Sequence, residues 1–180
     1  INTEGFTTWG LRNCLSVLLK DRFSFYGAII SEKGQLLNIS QVFREFCHSQ
    51  DRLTLGELSA FAKELNTARV PWDVVMEEMV RISQSEFVPK GQMEFDVAAT
   101  DAVIDEQMEG DYMPIKDFRL FLHYPPICVK WNAFVLESYA DGYSRKFWLL
   151  HPGYASEGCY GAIVRKRASI QTFQDLIADV

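Results

Sequence analysis

DRLTLGELSAFAKELN (Asp51–Asn66) is the best-punctuated stretch of this chain, and the pattern around it decides the fold. Thr54, followed three residues later by Glu57, has the form of a capping box, in which hydroxyl and carboxylate each satisfy a backbone N–H at a helix start. Leu55, Leu58, Phe61, Ala62 and Leu65 then recur at helical spacing, which predicts about three turns of amphipathic helix. Asn66 to Val70 break the pattern. Pro71 restarts it at a first helical position, with Trp72, Val75, Met79 and Ile82 on one apolar face. After Ser83 the periodicity becomes that of strands in SEFVPKGQMEFDV, which reads as a hairpin about Lys90-Gly91. Upstream, Asn38 and Gln41 mark a second capping box opening ISQVFREFCHS, whose stripe is Ile39, Val42, Phe43 and Phe46.

Displaced by about 60 residues, the same grammar returns, and a fixed period of that kind marks a repeated structural unit. Leu53-Thr54-Leu55-Gly56-Glu57-Leu58 falls on Met113-Pro114-Ile115-Lys116-Asp117-Phe118, with apolar residues at three shared places and the acid at a fourth. Trp72 falls on Trp131, Phe87 on Phe147, and Val103 takes the place of Phe43. Trp9 precedes Phe23 in the same manner, so the N-terminal stretch reads as the back half of an earlier unit. SIQTFQDLIADV reads as the first helix of a following one, and the chain is expected to be part of a larger protein. The duplicated YGAI, Tyr26–Ile29 and Tyr160–Ile163, falls in this frame on different strands of equivalent hairpins.

Helix, helix, turn, helix, hairpin is the order of a winged helix-turn-helix, and the chain resembles that superfamily over Thr54–Val97 and, by pattern, over Ala98–Lys166. The resemblance implies an α+β fold, mostly helical, of tandem winged-helix-like units. Residues 1–38 would be a partial unit, 39–97 and 98–168 two whole ones, and 169–180 the first helix of a further unit or a capping helix. In each unit the Trp would anchor the third helix and the Phe would start the wing over the same core.

Composition narrows the function. With 48% hydrophobic and 13% aromatic residues the chain can bury a substantial core, and no apolar run approaches the ~20 residues of a membrane span, so no membrane is expected. Cys14, Cys47, Cys128 and Cys159 are far apart and form no C-x-x-C pair. They read as buried free thiols of an intracellular protein, cytoplasmic or associated with the nucleoid or nucleus. His48, His123 and His151 are isolated in sequence, and neither a hydrolase, nucleotide-binding nor zinc motif is present, so catalysis, metal and cofactor are not expected.

Charge divides the candidates. The net charge of −6 opposes phosphate-rich ligands, and the third helices carry Asp73, Glu77 and Glu78 in one unit and Asn132, Glu137, Ser138 and Asp141 in the next. A duplex reader would need cations there. Phosphate contacts, if made, fall to Arg12, Lys20 and Arg22 near the N-terminus and to the wing residues Lys90, Arg145, Lys146, Arg165, Lys166 and Arg167, clusters whose ordinary role is a solvated surface. Eight carboxylates against one Lys lie between Glu94 and Asp117. Asp105, Glu106, Glu109 and Asp111 in that belt, the loop Pro152–Gly158, and Tyr139, Tyr143 and Tyr154 as exposed aromatics are candidate protein contacts, with a basic partner favoured. The expectation is therefore a non-catalytic interaction module that contacts protein, with duplex DNA binding through the wings as the alternative.

Overall fold

A computed structural model of the protein describes residues 7–26, 29–34, 38–154 and 157–179. These residues form a mixed α+β structure of seven α-helices and three small antiparallel sheets. Helix α1 (Thr8–Leu18) leads into a two-stranded ribbon, β1 (Phe23–Tyr26) and β2 (Ile29–Glu32). Next come α2 (Ile39–His48), β3 (Leu53–Thr54), α3 (Leu55–Glu64), α4 (Trp72–Glu78), β4 (Met79–Arg81) and β5 (Glu86–Pro89). The chain continues through α5 (Val97–Gln107), β6 (Tyr112–Pro114), α6 (Ala133–Gly142), β7 (Phe147–Leu150), β8 (Ala162–Arg165) and α7 (Phe173–Asp179). Among the described residues no helix is long and apolar enough to cross a membrane.

Local chemistry accounts for the first copy. Thr54 Oγ1 accepts from the Glu57 N–H at 3.2 Å while Glu57 Oε2 accepts from the Thr54 N–H at 2.7 Å, so both halves of the capping box are made. Asn66, at φ 55°, takes the left-handed conformation that ends the helix. At α2 one half of the expected box is present: Asn38 caps the Gln41 N–H, but the Gln41 side chain donates to Glu45 instead. The helix α4 stops earlier than its apolar face implied. Met79 is already extended, and Met79–Arg81 pairs with β5, because Met79 fills one core and Val80 another, an alternation only a strand can present. The hairpin turn accordingly lies at residues 82–85, and Lys90-Gly91 belongs to a 3-10 turn, Lys90–Gln92, beyond the strands.

The order helix, strand, helix, helix, strand, strand recurs after β5, and both sheets have the first-third-second arrangement, β3-β5-β4 and β6-β8-β7. The second copy departs at its middle helix, which is reduced to two 3-10 turns, Ile115–Asp117 and Phe121–His123. Pro114 stands where Thr54 stands in the first copy and has no hydroxyl to cap a helix. It sits on the edge strand β6, where a missing N–H is tolerated.

The Trp–Phe frame is corrected in detail. Trp72 is the first residue of α4, whereas Trp131 precedes the N-cap Asn132. Phe87 lies on the third strand of its sheet and Phe147 on the second. Phe43 and Cys47 are matched in burial by Ile104 and Met108, not by Val103. Gly27, Ala28 and the side chain of Trp9 lie outside the described residues.

The two three-stranded sheets each bury side chains on both faces. Val80, Ile82 and Val88 on the back of the first sheet pack with Met93 and with Val135 of α6, and Ala162 and Val164 on the back of the second pack with Ile170 and Leu176 of the α7 segment. Helix α6 therefore serves two cores at once: Leu136, Tyr139 and Ala140 face their own unit and Val135 the preceding one.

Candidate interaction surface

Burial on both sides decides what the third helices can offer. Residues Val135 to Ala140 of α6 are all buried, including Glu137 and Ser138, which the sequence pattern places outward. The Ser138 hydroxyl accepts from the Arg81 N–H at 3.0 Å, and Asn132 donates to the Ile82 carbonyl at 2.9 Å, so the polar side of α6 is bonded to β4 and the turn after it. The Arg81 guanidinium lies 4.3 Å from the Phe134 ring centre and 3.8 Å from the Glu137 carboxylate. Burial pushes the Glu137 carboxyl up to about 7 against the pull of Arg81, and the same dry surroundings push the Cys159 thiol upward. In α4 two of the three outward carboxylates are engaged within the chain: Arg44 of α2 bonds Glu77 and Glu78 at 2.7 Å each, and His48 meets Glu78 at 2.6 Å, while Asp73 is exposed.

The tyrosines proposed as exposed contacts are corrected. Tyr139 is fully buried and donates to the Asp101 carboxylate at 2.8 Å, Tyr143 packs on Phe95, and Tyr154 packs against the first core. Hydrophobic helix positions in this aromatic-rich chain are simply filled by Tyr, whose hydroxyl finds an acceptor. Of the loop Pro152–Gly158, residues 155–156 lie outside those described. Two of the four thiols, Cys14 and Cys128, are exposed rather than buried.

The acidic belt divides into two environments. Asp105 turns toward β8, where Arg165 pairs with it and also donates to the carbonyls of Met108 and Gly110, with Lys146 at 3.9 Å. Burial, with Arg167 close by, lowers the Arg165 pKa. Glu106 and Glu109 turn the other way, into a cavity of about 640 Å³ that they line with Asp117, Arg119, Leu120 and His123. Asp111 is exposed beside it. This groove exists because the middle helix is missing: Gln107 ties the end of α5 to the irregular segment by accepting from the Leu120 N–H and donating to the Tyr124 hydroxyl. Leu122, 99% exposed, and Leu120, 50% exposed, project from that segment. Asp117, Leu120 and Leu122 were not singled out from sequence; Pro114 at the capping position was the available signal.

No protein-family model, curated protein or solved structure matches this chain.

The cations proposed for phosphate separate as well. Lys90 lies beyond the β4–β5 hairpin, its ammonium 5.9 Å from the Tyr143 ring centre. Arg12 is half-buried in α1, and Lys20 and Arg22 are exposed on the turn after it. Arg145, Lys146, Lys166 and Arg167 do gather, at the open end of the β7–β8 pair, where Lys146 and Lys166 join Arg165, Arg167 and Asp105 around a cavity of about 280 Å³. His123 lines the acidic groove and His151 a separate cavity with Tyr154, while His48 is spent on Glu78. Among the described residues no group of three or more His, Cys, Asp or Glu is placed to hold a metal ion.

Proposed function

We propose that this chain is a non-catalytic docking module, built of two tandem winged-helix units, that holds a cationic, amphipathic segment of a partner protein. The winged-helix reading is supported by the recurrent element order and the first-third-second strand order of both sheets. The docking reading rests on one observation: Leu120, half exposed and two residues from the fully exposed Leu122, lines a groove with Glu106, Glu109 and Asp117, three carboxylates against the single Arg119. A nearly fully exposed Leu is unfavourable unless covered, and the carboxylates beside Leu120 select what covers the pair, a segment that alternates apolar and basic residues. The C-terminal end of α5 adds its own negative pole to the same place. The helices that a duplex reader inserts are committed elsewhere, α6 to two cores and Glu77 and Glu78 of α4 to Arg44 and His48, which favours protein over duplex DNA as the partner.

Fluorescence anisotropy with a labelled peptide of alternating Leu and Arg tests the reading. Binding that weakens with salt, and that Glu106→Lys with Glu109→Lys abolishes, is expected. Binding indifferent to both substitutions and to Leu122→Asp would overturn it.

A further inference from the structure

A second surface lies on the other side of the α5–β8 contact. Along β7 the side chains alternate: Phe147 is buried in the core and Trp148 faces outward, while Lys146, just before the strand, is exposed with its ammonium 3.9 Å from Asp105. Along β8 the paired positions repeat this, with Val164 opposite Trp148 and Lys166 two residues on. Lys146 and Lys166 stand opposite each other just beyond the open end of this pair, so the indole lies beside two lysines, with Arg145 and Arg167 exposed next to them. Trp148 is 44% exposed. The Lys166 ammonium sits 4.7 Å from its ring centre while donating to the Ser144 carbonyl at 2.9 Å. Helix α7 covers the neighbouring outer positions Ala162 and Val164 but leaves the indole in water. Asp105, the carboxylate nearest these cations, is neutralised by Arg165.

We infer that this strand face binds single-stranded nucleic acid, one base stacking on Trp148 and the phosphates on one side of that base lying against Lys146, Lys166 and Arg167 at the open strand end. An exposed ring on a strand face offers its surface to any base, and a basic cluster at one end of that face suits the adjoining phosphodiester backbone. No helix has to enter a groove, so the burial of α6 is no obstacle. A phosphorylated peptide would use the cations and leave the indole idle, whereas a stacked base uses both.

The test is titration of the whole chain with a labelled oligothymidylate at low salt, followed by anisotropy and by quenching of tryptophan emission. Binding with quenching is expected, weakened roughly 5- to 100-fold by Trp148→Ala and largely restored by Trp148→Phe. Lys146→Glu with Arg167→Glu, which leaves the ring in place, is expected to weaken binding and flatten its salt dependence. The inference is overturned by no binding at low salt, by affinity unchanged in Trp148→Ala, or by equal affinity for heparin, which marks a site for any polyanion. Tighter binding of a phosphopeptide than of the oligonucleotide would overturn it in favour of a protein ligand.

Discussion

Arg81 and Glu137 face each other at 3.8 Å with side chains only 2% and 3% exposed, one on β4 and the other on α6. Around them the Ser138 and Asn132 bonds to β4 and its turn make the junction between units a packed interior rather than a linker. Glu137 keeps its proton up to about pH 7, whereas in the unfolded chain it releases it near the ordinary value of 4.5. Between those values the native state binds more protons, so this group's contribution to stability is complete below 4.5 and is lost as pH rises through about 7. Urea unfolding across that interval is expected to show declining stability, and Glu137→Gln is expected to flatten the decline. An unchanged slope in the variant would assign the dependence to other groups.

A second buried carboxylate shapes the same unit. Asp101 of α5 accepts from the Tyr139 hydroxyl, the Ser144 hydroxyl at 2.7 Å and the backbone N–H groups of Arg145 and Lys146 at 3.1 Å each. These bonds fold the turn between α6 and β7 onto α5 and so fix where the basic strand end begins. Asp101→Ala strands four donors in a dry interior, and a loss of roughly 3–5 kcal/mol is expected in chemical denaturation. A loss below about 1 kcal/mol would mean that water replaces the carboxylate.

Gly161 is required by close approach rather than by its backbone angles. A Cβ there would come within 2.9 Å of Leu149 Cδ1 and 3.1 Å of the Leu150 carbonyl oxygen, inside the β7–β8 pair. Gly161→Ala is expected to cost about 1–3 kcal/mol by thermal or denaturant unfolding. Gly91 meets nothing within 4 Å, and Gly91→Ala serves as the comparison, with little change expected.

The capping box offers a local test of the first copy. Thr54→Ala removes the acceptor of the Glu57 N–H, and about 1 kcal/mol of stability is expected to go with it. Replacing Pro114 by Thr in the second copy supplies the missing hydroxyl opposite Asp117. Circular dichroism is expected to report a small gain in helix if the absent cap is what keeps this segment irregular.

What was legible in the sequence was what is decided locally. Thr54, Glu57 and Asn66 mark both ends of α3 within reach of their own side chains, whereas the displaced pattern at Met113–Phe118 read as the start of a second such helix and gave no sign of the strand β6 that precedes it. Partners remote in the chain were not legible. Glu137 and Ser138 have the spacing of a solvent face, and only the packing of α6 on β4, 57 residues back from Ser138, turns them inward. Tyr139 reads equally as surface or core until Asp101 is seen to accept its hydroxyl. The acidic belt was visible as charge, but its division by Arg165 into a paired residue, Asp105, and two groove carboxylates depends on strand pairing across more than fifty residues. The exposed leucines were hidden because the 60-residue pattern implied a helix where the chain forms two 3-10 turns.

The docking account is tested most directly by backbone amide hydrogen exchange of the whole chain with and without the Leu/Arg peptide. New protection confined to the end of α5 and to the segment from Asp117 to His123 is the predicted result. Protection on α4, or a peptide that binds without protecting either groove wall, would contradict it.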